Sequence, residues 1–170
     1  MLSNRKGPLI MHYENGNPDE LKEKFWKELD DSPFVMLELD GHSGDAAPMT
    51  AQLDEDANSA IWFFTSRNGA FAAMGPATAT FSAKGHNLFA RFDGVLSEEA
   101  DRARIDQFWS NMIEAWFPQG KGDPSLLLMR MDLGQAKIWD SSLGLMGTAR
   151  MLLGMDARAD AQNNTVETKL

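Results

Sequence analysis

No cysteine occurs among the 170 residues, which excludes disulfides, thiolate metal ligands and a cysteine nucleophile. No apolar run approaches the roughly 18–20 residues a membrane-spanning helix needs. Near the start, Arg5 and Lys6 have no apolar segment behind them, because Leu9, Ile10 and Met11 give way to His12, Glu14 and Asn15. A secretory leader is therefore not expected, and the expected setting is soluble and cytoplasmic, without a membrane partner. Clustered basic residues are also missing. The 16 Lys and Arg are scattered among 25 Asp and Glu, for a formal net charge of −9. A binder of phosphate backbones needs concentrated cations, so nucleic acid is not an expected partner. The acidity reads as a solubilising surface.

Catalytic motifs are scarce as well. The chain contains no nucleophile elbow, no Walker loop and no dinucleotide glycine fingerprint. His12, His42 and His86 lie in the N-terminal arm or in predicted turns, and none is paired with another histidine at helical spacing; they read as surface residues. The run Asp54-Glu55-Asp56 lacks the glycine and closing glutamate of a calcium loop and reads as a solvated turn.

What is present is a clear order of elements in one α+β, mainly β, domain, with 43% hydrophobic residues to build its core. Asn17 can cap a helix that Pro18 opens and that Asp19 and Glu20 favour by charge. Its apolar stripe is Leu21, Phe25, Trp26 and Leu29, and Ser32-Pro33 stops it. Strands are expected at Phe34–Leu39, 46–53, Ile61–Thr65, 77–83 and 88–96, with a helical turn over 69–74. Their short spacing favours antiparallel pairing and a barrel. A long second helix is expected from a Ser97 cap, through Ile105, Phe108, Trp109, Met112, Ile113 and Trp116, to Pro118. Strands at 126–133 and 136–140 would follow, turning at Gly134, then a Met-rich helix at 143–155. The expected division is an arm at 1–17, the domain at 18–155 and a disordered tail at 156–170, where apolar content falls.

One segment concentrates binding potential: Ala47-Pro48-Met49-Thr50 and then Ile61-Trp62-Phe63-Phe64-Thr65-Ser66-Arg67-Asn68-Gly69. Neighbouring strands here would offer a wall for a planar ring. Thr65, Ser66, Arg67 and the Asn68 and Gly69 amides could receive a phosphate. The same residues also suit an ordinary buried strand with a polar loop.

These residues are where the chain resembles a known family. Ala47-Pro48-Met49 beside Ile61–Thr65 is similar to the paired-strand signature of flavin-binding split barrels in the general stress group of pyridoxamine 5′-phosphate oxidase-like proteins. Trp109, Trp116-Phe117-Pro118-Gln119-Gly120, Asp123-Pro124 and Ile138-Trp139-Asp140 look like that family's helix end and closing strand. The resemblance spans about residues 18 to 142. It implies a six-stranded antiparallel split β-barrel with flanking helices, a homodimer, and FMN sites at the subunit interface. It assigns Pro48, Met49, Thr50, Phe63, Phe64 and Thr65 to the ring, and Ser66, Arg67 and Gly69 to the phosphate. Trp116 and Trp139 would be contributors from a partner subunit or core residues. Relatives that hold FMN firmly have an arginine where this chain has Ala47, and a serine and lysine where it has Gly69 and Phe71. Losing two phosphate cations costs about 3–6 kcal/mol, roughly a hundred-fold to over a thousand-fold in affinity. Two readings follow: a flavin-binding protein, with an oxidoreductase as one form, or a non-enzymatic dimer that has lost flavin and serves as an interaction protein.

Overall fold

The computed structural model of the chain describes residues 14–42, 44–57, 59–141, 152–154 and 164–170. The expected helix at 143–155 therefore lies largely outside the described residues, as do most of the N-terminal arm and the tail as far as residue 163. In chain order the elements are β1 (Glu14–Asn15), α1 (Pro18–Asp31), β2 (Phe34–Leu39), β3 (Ala47–Thr50) and β4 (Ala60–Ser66). A 3₁₀ turn at Ala70–Ala73 leads to β5 (Gly75–Ser82) and β6 (Leu88–Glu98). Then come α2 (Arg102–Phe108), α3 (Asn111–Glu114), β7 (Leu126–Asp140) and β8 (Asn164–Lys169).

Strands β2 to β7 make the six-stranded antiparallel split barrel that the resemblance implies. The ladder runs β4-β7-β6-β5-β2-β3. Among the described residues its two ends, β3 and β4, meet at one bridge, Gln52 to Trp62. Alternation along β4 explains its continuous apolar run. Ile61 and Phe63 enter the barrel core; Ala60, Trp62 and Phe64 pack into a second cluster with Ile105, Phe108, Trp109, Ile113 and Phe117 of the α2–α3 region. Helix α1, capped by Asn17 as expected, places Leu21, Phe25 and Leu29 on the barrel core, with Phe25 edge-on to Phe81 and Phe92 at 5.9 and 5.5 Å. Among the described residues no helix is long and apolar enough to cross a membrane.

Three local expectations are corrected. Ser97 and Glu98 do not open a helix: they pair with Arg130 and Met129 and extend β6. The helical segment starts instead on an Asp101 cap and breaks at Trp109, where Ser110 caps the short α3. Polar caps at two nearby positions divide what an apolar stripe alone joins. Second, 126–140 is one strand, without a hairpin at Gly134. Its partner β6 runs opposite it from Met129 to Asp140, and Gly134 marks an irregularity where the register shifts between Phe92 and Gly94. Asp93 Oδ1 there accepts the Gln135 amide at 2.9 Å, and a Cβ on residue 134 would collide with that carboxylate.

Third, 164–169 of the expected disordered tail form β8, antiparallel to β7 over Gln135–Asp140. Val166 pairs with Ile138, and both Val166 and Leu170 are buried. An open sheet edge templates a strand through its backbone groups, so two inward apolar residues suffice where composition suggests none. β8 also pairs with β1 in parallel, the one non-antiparallel pair among the described strands.

The two bulge glycines separate by what they approach. A Cβ on Gly94 would lie 2.6 Å from the Asp132 carbonyl oxygen, which is backbone; on Gly134 it meets a side chain that can rotate. Gly94→Ala is expected to lose about 2–3 kcal/mol and Gly134→Ala about 1 kcal/mol, measured by denaturant unfolding. Equal losses would contradict the bulge geometry.

Candidate functional site

Continued beyond the Gln52–Trp62 bridge, the antiparallel register would set Thr50 against Phe64 and Pro48 against Ser66. The strands part instead. β3 keeps its ladder with β2, Phe34 to Thr50 and Met36 to Pro48. β4 keeps its ladder with β7, Phe64 to Leu128 and Ser66 to Leu126. Between the separated edges lies a cleft of about 780 Å³, within the range of roughly 300–1,000 Å³ common for small-molecule sites. Its walls are Pro48, Met49 and Thr50 on one side, and Phe64, Thr65 and Ser66 on the other.

A third wall is α3 with its flanking residues. Ser110, Asn111, Met112, Ile113 and Trp116 face the cleft, held by aromatic contacts behind them. Trp109 stands edge-on to Phe64 at 6.1 Å and tilted against Phe117 at 6.4 Å. Met112 and Trp116 are 69% and 80% exposed, an unusual state for large apolar side chains on the rim of a cavity.

Of the residues expected to bind, the structure brings together Pro48, Met49, Thr50, Phe64, Thr65, Ser66 and Trp116. The other four are not brought to this cleft. Phe63 alternates into the barrel core. Arg67, at the strand end, ion-pairs with Glu98 and lines a separate hollow of about 250 Å³. Gly69 is exposed in the following turn, where its amide donates to the Ser66 carbonyl at 2.9 Å. Trp139 sits far along β7, opposite Phe89 of β6 and Thr165 of β8, with the Lys137 ammonium 5.7 Å from its ring centre. Of the three positions without the family's anchors, Ala47 packs on the barrel core and Phe71 is buried in it. Sequence reasoning missed Ser110, Asn111 and Ser125. Ser110 was legible only as a cap hidden inside an apparently continuous helix.

Among the described residues no charged side chain lines the cleft, and no group of three or more His, Asp or Glu could hold a metal. The nearby charges are engaged elsewhere. Glu98 is held below the ordinary carboxylate range by Arg67, Asp106 by Lys121 and Asp54 by Arg104. Asp123, largely buried on the wall of the Arg67 hollow, accepts the Ser125 hydroxyl at 2.7 Å, the Ser125 amide at 2.9 Å and the Gln119 amide at 3.3 Å. These bonds, the Ser125 hydroxyl foremost, hold its carboxyl low.

A depressed folded-state pKa contributes stability that is complete above the unfolded value, roughly 4, and is lost as pH falls through the folded value. The melting temperature is therefore expected to stay level from about pH 7 to 5 and to fall below about pH 4. Asp123→Asn should start lower at neutral pH and lose less in acid. Parallel acid loss in both proteins would show that Asp123 is not linked.

Comparisons with known proteins place this arrangement. A family model described as pyridoxamine 5′-phosphate oxidase like matches residues 20–163. Among solved structures, the chain is similar to a protein assigned to the general stress family from Xanthomonas campestris, at 44% identity and TM-score 0.69, over 76% of this chain and 93% of that one. A general stress FMN/FAD binding protein from Xanthomonas citri shows 44% identity and TM-score 0.68, over 75% and 93%. A protein assigned as general stress protein 26 from Jannaschia sp. shows 27% identity and TM-score 0.76, over 89% and 99%. No curated protein gives a match. With a split barrel, a cleft at its open seam and a family match over most of its length, the chain belongs to the pyridoxamine 5′-phosphate oxidase-like family.

Proposed function

We propose that this chain is a general stress protein that binds a flavin, FMN in the first instance, in the cleft between β3 and β4. The observation that carries this is the parted strand edges, which leave a cleft walled by Pro48–Thr50 and Phe64–Ser66. The relative from Xanthomonas citri, 44% identical, is named for FMN/FAD binding. The cleft suits a planar ring: the unpaired edges offer backbone donors and acceptors, and the α3 wall offers Trp116 for stacking. A bound flavin would supply hydride and electron chemistry. The chain's own residues would orient the ring and exclude water, since the described cleft holds no titratable side chain for proton transfer. A flavin-dependent oxidoreductase of unassigned substrate is the active form of this reading.

The cleft is expected to close in a homodimer. Phe34 and Met36 are 59% and 43% exposed. They pair across the ladder with Thr50 and Pro48 of the cleft wall, so a second copy seated there would also reach the cavity. A single species near twice 18.9 kDa by light scattering is the expected result; a monomer would refute the dimer. The engagement of Arg67 by Glu98 favours the second reading, an interaction protein without flavin. Titration decides between them. FMN is expected to bind, and Trp116→Ala to weaken it by about threefold to tenfold, the worth of one stacking contact. Arg67→Ala should leave the dissociation constant within about twofold. A tenfold loss in that variant would put Arg67 in the site, and no uptake at about millimolar FMN would select the second reading.

A further inference from the structure

Resting on the flavin reading, we infer that the cleft selects the uncharged part of its ligand, a planar ring with a hydroxylated side chain, and gives no net stabilisation to a terminal phosphate. Every group the described cleft presents is apolar, a hydroxyl, an amide or backbone. The cations of the neighbouring hollow, Arg67, Arg102 and Lys121, are committed outside it. Arg67 is paired with Glu98 and Lys121 with Asp106, while Arg102 donates to the Lys121 carbonyl at 3.5 Å.

At the Ser66 end, the Ser125 hydroxyl is polarised against an anion. Ser125 donates its hydroxyl hydrogen to Asp123 at 2.7 Å, so only lone pairs remain to face the cleft. The carboxylate behind it is buried and kept ionised by the bonds it accepts. A phosphate placed there would meet an acceptor backed by a negative charge. A ligand hydroxyl or ring N–H would find a strengthened acceptor instead. Ser66 Oγ accepts the Asn68 amide at 3.2 Å, which leaves its own hydrogen to donate. Donor and acceptor side by side suit a polyol.

The test compares FMN with riboflavin, its phosphate-free form, by fluorescence titration of the full chain. The two dissociation constants are expected to agree within about threefold. The constant for FMN should change by less than about twofold between about 50 mM and 500 mM salt, because no cation pairs with the phosphate. FMN binding ten times or more tighter than riboflavin, or weakening tenfold in salt, overturns the inference and leaves flavin binding standing. Failure of both ligands to bind at about millimolar concentration overturns the flavin reading itself. In Asp123→Asn, FMN is expected to gain on riboflavin by about threefold or more. An unchanged ratio in the folded variant would overturn the role given to Asp123.

Discussion

The Gln52–Trp62 bridge is the constraint on which the rest depends. Two hydrogen bonds, Gln52 amide to Trp62 carbonyl at 2.8 Å and Trp62 amide to Gln52 carbonyl at 3.0 Å, tie the barrel's last two strands at one point and leave them free beyond it. Trp62 is well fixed for this task. It is fully buried, its indole N–H donates to Glu99 at 3.2 Å, and the guanidiniums of Arg104 and Arg130 lie 4.7 and 5.6 Å from its ring centre. Arg104 is itself anchored on Asp54. With this knot near the start of β4 and a full ladder to β7 on its far side, the seam is open at the Phe64–Ser66 end.

Charge is arranged around that opening rather than within it. Lys121 in the loop after α3 pairs with Asp106 of α2, and Arg67 at the end of β4 pairs with Glu98 at the end of β6. Exposed pairs of this kind add little stability. Their consequence lies in placement: these cations stand outside the lining of the cleft. The buried Asp123 extends the same pattern to the cleft wall through Ser125.

Most of this was legible in the sequence where two signals agreed. Asn17-Pro18 with an apolar stripe gave α1 to the residue, and the Ile61–Phe64 run marked the doubly buried strand. Reading failed where a single signal had two meanings. Gly134 suggests a turn when seen alone, yet it serves the close approach of Asp93 from the neighbouring strand. Ser97 is a good cap residue, but β7 offers Ser97 and Glu98 ladder partners that local preference cannot foresee. Residues 164–169 of the polar tail are ordered by the edge of β7 and by β1, partners distant in sequence. Within the site, the two strands were readable from their apolar runs, but Phe63 was set beside Phe64 on the ring where alternation turns it into the core. The direction taken by Arg67 was not readable, since it depends on Glu98, 31 residues away.

A crystal structure of the assembly soaked with a flavin tests the central claim most directly. The account predicts the ring between the edges of β3 and β4, beside Trp116, with the end of its side chain reaching solvent. A ring bound elsewhere, or β3 and β4 zipped together along Thr50–Phe64 and Pro48–Ser66, would contradict it.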